Sequence, residues 1–164
     1  MKKIITLFIF LLIVSTIKTS FSQVLLPADM NTLDSLKEVN KGKVILINFW
    51  AHWCKPCKEE FPDLVKIHND FKNENFNLIF VSLDFDEALE NNTIPFLKEQ
   101  GVDFTTYFNN FNKDEELIFY MDKNWNGGIP GTFIFDKEGE LSASLIGLQN
   151  YDIFEKEINK RLNK

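Results

Sequence analysis

Cysteine and histidine are scarce in this sequence, with two of each in 164 residues. A tetrahedral zinc site takes four ligands, and only His52, His68 and scattered carboxylates could join the cysteines in one, so no metal and no cofactor are expected. Basic residues are outnumbered, 18 Lys and Arg against 24 Asp and Glu, for a net charge of −6. Attraction to phosphate dominates nucleic-acid affinity, so an acidic chain without a basic stripe excludes nucleic acid as a partner. The same balance gives no reason to sit on anionic lipid. There is no internal repeat, no low-complexity tract and no linker rich in Pro, Gly and Ser, so the chain reads as one domain. Even its longest apolar run falls short of the roughly 20 residues that cross a bilayer core.

That run is at the start. Lys2 and Lys3 form a short basic region, and Ile4 to Ile17 is apolar apart from Thr6, Ser15 and Thr16. Ser20-Phe21-Ser22 then puts small residues at the −3 and −1 positions of a cleavage before Gln23. This is the layout of a secretory signal peptide, with a retained anchor through residues 4–17 as the alternative. No cysteine lies near the cleavage site, which excludes lipid attachment there. The expected organisation is a signal peptide at 1–22 and one domain at 23–164. Loss of Lys2, Lys3 and Lys18 takes the net charge from −6 to −9.

Along the rest of the chain, Leu25 to Ala28 reads as an extended lead-in. Asn31 to Val39 reads as a helix, capped by Asn31 or Thr32, with Leu33, Leu36 and Val39 on one face. Val44 to Trp50 is a dense apolar run that suits a strand buried on both faces. A helix follows the cysteines, with Cys57, Phe61, Leu64, Val65, His68 and Phe71 at helical spacing and a kink expected at Pro62. Phe76 to Leu83 is a second strand. Phe96 to Gln100 belongs to a helix starting near Asn92, Val102 to Phe108 is a third strand, and Asn112 to Met121 is a short helix. Thr132 to Phe135 and Leu141 to Ile146 form a hairpin across Asp136-Lys137-Glu138-Gly139, and Tyr151 to Leu162 closes the chain. Alternating strands and helices that end in a hairpin imply a mixed α/β sheet with helices on both faces.

The two cysteines are Cys54 and Cys57, in Trp53-Cys54-Lys55-Pro56-Cys57. A bridge across so short a loop removes little chain entropy and stabilises little, so the pair suits a redox switch better than a structural staple. Half of a metal site is the other alternative. The first cysteine of a pair that opens a helix sits where free N–H groups and the macrodipole favour negative charge. Its thiol acidity rises accordingly, and Lys55 adds a neighbouring cation. Cys54 is therefore the expected nucleophile. Cys57, one turn further in, is the expected resolving thiol, and Pro56 stiffens the turn between them.

Phe49-Trp50-Ala51-His52-Trp53-Cys54-Lys55-Pro56-Cys57 resembles the active-site run of the thioredoxin superfamily. Gly128-Ile129-Pro130-Gly131-Thr132, followed by Phe133 to Asp136, resembles the loop and strand that carry that family's cis-proline. The resemblance spans roughly Thr32 to the C-terminus. Asn48-Phe49-Trp50 before the cysteines and Glu60-Phe61-Pro62 after them are similar to exported TlpA-like and ResA-like proteins. Those also insert a helix and strand before the cis-proline, which matches Glu87 to Phe108. The resemblance implies a thioredoxin fold and dithiol–disulfide exchange with protein partners, often in cytochrome c maturation. It also implies a cis Ile129–Pro130 bond holding the Ile129 backbone beside the sulfurs, where a partner strand could pair. Two departures stand out. Asn48 occupies the place of the buried Asp of cytosolic thioredoxins and cannot act as a base. The lead-in after Gln23 is too short for the N-terminal hairpin of many ResA-like proteins.

Glu60, three residues past Cys57 on the same helix face, is the candidate proton relay. Trp53 is assigned to the docking surface with Ile129 and Pro130, core packing being its rival. Trp125 reads as loop packing, and neither His52 nor His68 is assigned a catalytic role. The expected function is an exported, periplasmic-type thiol–disulfide oxidoreductase, acting as a reductant of protein disulfides that a membrane thiol reductant recycles. A monomer is expected. The rivals are an exported oxidant, because Lys55 favours the reduced thiolate form, and a non-catalytic thioredoxin-like binding module. A peroxidase is not expected, because the chain has no separate peroxidatic cysteine.

Overall fold

The computed structural model describes residues 23–163. The segment read as a signal peptide lies outside them. In chain order the elements are β1 (Leu25–Ala28), α1 (Met30–Val39), β2 (Val44–Trp50), α2 (Lys55–Phe71) and β3 (Phe76–Ser82). A π-helical turn (Leu89–Thr93) then leads into α3 (Ile94–Glu99), β4 (Thr106–Asn109), α4 (Asp114–Met121), β5 (Gly131–Phe135), β6 (Leu141–Ile146) and α5 (Tyr151–Leu162). Six strands form one mixed sheet in the order β1-β4-β3-β2-β5-β6. The first four are mutually parallel, and β5 and β6 are antiparallel additions.

β2 lies inside the sheet, and all seven of its residues are buried. Side chains alternate across a strand, so Val44, Leu46 and Trp50 enter the core beneath α2, α3 and α5, with Phe61, Leu64, Leu97, Phe154 and Ile158. Ile45, Ile47 and Phe49 enter the core beneath α1 and α4, with Leu33, Leu117 and Met121. Both faces are covered, which is why this strand has no polar alternation. Asn48 shares the parity of Leu46 and Trp50 and so faces α2. Phe61 of α2 stacks on Phe80 of β3 with ring centroids 4.2 Å apart. β1 pairs with β4 alone at the sheet edge, where Pro27 removes no interior ladder bond.

Several boundaries differ from those read in the sequence. The N-cap of α1 is Asp29, whose side chain accepts from the Thr32 amide at 2.9 Å, and Val39 is exposed. The inward stripe of α2 is Cys57, Glu60, Phe61, Leu64, Ile67 and Phe71. Val65 and His68, half-buried, lie at its margin, and His68 stacks on Phe104 at 4.1 Å. α2 continues through Pro62 as one element. The helical insert starts at Leu89, not near Asn92, and β4 starts at Thr106. Val102 and Phe104 pack on the core ahead of that strand, and only Tyr107 and Phe108 pair with β3.

Candidate active site

The end of β2 delivers the chain into a turn, closed by the Cys54 amide donating to the Ala51 carbonyl at 3.1 Å. Cys54 is the N-cap of α2, with extended backbone, and Pro56 lies in the first turn, where its missing N–H costs nothing. The Cys57 amide donates to Cys54 Sγ at 3.2 Å. An N-terminal N–H of the helix thus points at the sulfur, in the direction of the macrodipole. Cys54 and Cys57 are joined in a disulfide, with Cys54 5% exposed and Cys57 1% exposed. Lys55 is well exposed and pairs with Glu59 at 3.7 Å, so its charge is screened by solvent and partly offset.

Glu60 lies one helical turn past Cys57 and is 1% exposed. Its Oε1 accepts from Asn48 Nδ2 at 2.9 Å, and its Oε2 accepts from the Gln149 amide at 2.9 Å. Asn48 Nδ2 also donates to Thr132 Oγ1 at 2.9 Å, which ties β2, α2 and β5 together under the turn. Burial pushes the Glu60 carboxyl up to about 7; the Gln149 and Asn48 hydrogen bonds oppose this and the nearby charge of Asp63 adds to it. A buried carboxylate that titrates near neutrality can bind or release a proton. It also has a structural part, since Glu60 and Asp63 hold the amides of Gln149 and Tyr151 at the entry to α5.

Gly131 pairs with Phe49 across β5 and β2, so the loop before it lies alongside the approach to the cysteines. In that loop the Ile129–Pro130 bond is cis. The Pro130 carbonyl accepts from the Gly147 amide at 2.8 Å, and Ile129 packs on the cluster that contains both cysteines. Trp53 is 62% exposed, which rules out core packing as its role, and Phe85 is 72% exposed. Trp53, Phe85, Leu117, Ile118 and Trp125 line a groove of about 490 Å³. Trp125 forms its floor: it is 4% exposed, packs on Phe49 and Phe133, and donates from Nε1 to the Gly128 carbonyl at 2.8 Å.

Sequence reasoning missed Asp84. It sits two residues beyond β3, nearly inaccessible, and receives both the amide and the ring of His52. The local signal was Ser82-Leu83-Asp84, a hydroxyl and a carboxyl closing an apolar strand. Among the described residues no three of His, Cys, Asp and Glu converge as metal ligands, and no helix is long and apolar enough to cross a membrane.

A family model described as the AhpC/TSA family matches residues 19–144. The chain is 29% identical over 107 residues to the thiol-disulfide oxidoreductase ResA of Bacillus subtilis (strain 168), covering 65% of this chain and 55% of that protein. To the ResA of Bacillus anthracis it is 30% identical over 123 residues, covering 73% and 64%. The chain thus spans about 55–64% of the length of these two relatives. Among solved structures, a thiol:disulfide interchange protein of the thioredoxin family from Chlorobium tepidum TLS is 26% identical with a TM-score of 0.64, over 77% of this chain and 84% of that one. StoA from Bacillus subtilis, at 22% identity and a TM-score of 0.53 over 71% and 82%, shares the fold. The architecture is a thioredoxin fold.

Proposed function

The chain belongs to the AhpC/TSA family of thioredoxin-like proteins, and on that footing we propose that it exchanges its Cys54–Cys57 dithiol and disulfide with disulfides of protein partners. The observation that carries this reading is Cys54 as the helix cap, its sulfur accepting the Cys57 amide. In the reducing direction the Cys54 thiolate attacks one sulfur of a partner disulfide. The partner's other sulfur leaves as a thiolate, and a mixed disulfide remains. Cys57 then loses its proton and attacks Cys54 Sγ, which releases the second partner sulfur. One disulfide is reduced and the Cys54–Cys57 disulfide forms; the partner's two thiolates take up two protons, the one from Cys57 and the one that Cys54 had given to solvent on ionising. Glu60 is the relay for the Cys57 proton, supported by its place one turn along the same helix face and its carboxyl raised to about 7.

Partner docking falls to Trp53, Ile129 and Pro130. The exposed Trp53 ring and the groove beside it, whose apolar wall of Phe85, Leu117 and Ile118 is edged by Asn109, Asp114 and Asn126, support a partner segment with an apolar side chain near its cysteine. Lys55 and Pro56 shape the turn. The Lys2–Ser22 pattern supports export, with residues 1–22 as a signal peptide or residues 4–17 as an anchor; the resemblance of the cysteine motif to exported TlpA-like and ResA-like proteins supports action as a periplasmic reductant, recycling by a membrane thiol reductant, and a place in cytochrome c maturation. No metal or cofactor enters the cycle. The helix-capped thiolate favours the dithiol form, which keeps an oxidant as the second reading.

Two experiments test the proposal. Equilibration against glutathione gives the reduction potential: a value near or below about −250 mV supports the reductant, and one near about −120 mV reverses the direction. Expression of Cys57→Ala in the exported compartment should trap partners on Cys54 as reducible mixed disulfides. Absence of such adducts, with the protein folded and exported, refutes the exchange reading.

A further inference from the structure

Asp84 joins three elements through one carboxylate. Its Oδ2 accepts from the His52 amide at 3.0 Å, from Ser82 Oγ at the end of β3 at 2.7 Å, and from Thr93 Oγ1 in the π-helical turn at 2.7 Å. Its Oδ1 is 2.6 Å from His52 Nδ1. Burial pushes this carboxyl up, but the hydrogen bonds from Thr93, the His52 amide, Ser82 and the His52 ring together hold it below the ordinary carboxylate range. An ionised carboxylate only accepts, so Nδ1 of His52 carries the hydrogen and donates. The ring is thereby fixed in orientation, and Nε2 is the nitrogen left to bind or release a proton.

The location gives this pair its significance. His52 stands inside the turn that the Cys54 amide closes on Ala51, two residues before Cys54, and its side chain is 29% exposed. A buried negative charge at this turn opposes a thiolate on Cys54, and a proton on Nε2 offsets it. The other charges on the elements that meet here are Lys55 and Glu59, paired with each other in water, Lys58 and the buried Glu60 further along α2, Asp86 and Glu87 in the loop beyond Asp84, and Glu90 in the π-helical turn. None of them lies in the turn itself, whereas the ring is anchored there by both the His52 amide and Nδ1. A clamp that only braced the turn needs one donor toward Asp84; imidazole supplies that donor and a second, titratable nitrogen.

We propose that His52, held by Asp84, is a positioning residue that keeps a proton-binding nitrogen at the redox turn and so sets how readily Cys54 ionises. The proposal rests on the reading of Cys54 as the attacking thiol. His52→Asn keeps an N–H donor toward Asp84 and removes the titratable ring. In the reduced protein it should lower the rate of Cys54 alkylation at pH 6 about threefold or more, and shift the equilibrium with glutathione toward the disulfide by a similar factor. A His52→Asn protein matching the parent in both, beside a destabilised His52→Ala, would reduce the pair to a brace and overturn the proposal. Linkage supplies a test that needs no variant, because two sites that influence each other do so reciprocally. The NMR titration of His52 in the parent should show its proton affinity rising about threefold or more when the disulfide is reduced and Cys54 ionises. With only two histidines in the chain, and His68 stacked on Phe104 as the internal control, an unchanged His52 titration overturns the proposal. Neither readout depends on a partner protein. A parent inactive on protein disulfides would instead count against the exchange reading.

Discussion

Replacing Glu60 with glutamine should change how the stability of the oxidised protein depends on pH. The folded carboxyl is raised from 4.5 to about 7 by burial, so between those values the native state binds a proton that the unfolded chain has released. Stability then falls as pH rises through this window. Below about pH 4.5 both states are protonated and the penalty vanishes; above about pH 7 it is complete. At about 1.4 kcal/mol per pH unit the full penalty is on the order of 3 kcal/mol. Glutamine cannot titrate, so the stability difference between Glu60→Gln and the parent should climb by about that amount between pH 4.5 and 8. A constant offset of about 1 kcal/mol against the variant is also expected, because the glutamine NH₂ would face either the Asn48 or the Gln149 donor, where even a neutral carboxyl presents an oxygen. Other carboxylates titrate alike in both proteins and cancel. Urea unfolding of the two proteins at half-unit pH steps reads the difference directly. Parallel curves over that range would refute the raised carboxyl, and with it the physical basis of the relay.

Four further outcomes are expected. In the reduced protein, iodoacetamide at mildly acidic pH should modify Cys54 before Cys57, as peptide mapping would show; the reverse order would exchange their roles. Trp53→Ala should leave unfolding free energy within about 0.5 kcal/mol of the parent while slowing exchange with protein disulfides more than with a small disulfide, and equal slowing would argue against docking. Trp125→Ala, in the floor of the groove, should cost about 3–5 kcal/mol by thermal or urea unfolding; a loss below 1 kcal/mol would mean that the floor is not core. Gly131→Ala should cost about 1–3 kcal/mol, because its Cβ would meet the Gly128 carbonyl at 3.2 Å and Trp125 at 3.3 Å, and Trp125 already holds that carbonyl; unchanged stability would show that the loop yields.

What the sequence disclosed followed the range of each interaction. Val44 to Trp50 was legible because a strand covered on both faces must be apolar throughout, whatever covers it. The cysteine pair was legible because helix start, proline and spacing are all local, and Glu60 was placed by helical spacing from Cys57. The tether of His52 was not legible because its partner lies 32 residues away, and nothing near His52 distinguishes a tethered ring from a solvated one. β4 was read too long because Val102 and Phe104 are apolar for packing, whereas strand pairing depends on how far β1 and β3 extend. Val39 fits the helical period of α1 but falls at its exposed end, where the helix has run past the core that Leu33 enters.

Turnover of a protein disulfide bears most directly on the account. Insulin reduction by dithiothreitol, followed by turbidity, should be accelerated by the parent protein and return to the uncatalysed rate with Cys54→Ser, while that variant keeps the parent's fold by circular dichroism. A parent that gives no acceleration, or a Cys54→Ser protein as active as the parent, would contradict the claim that disulfide exchange at Cys54 is what this fold is built to perform.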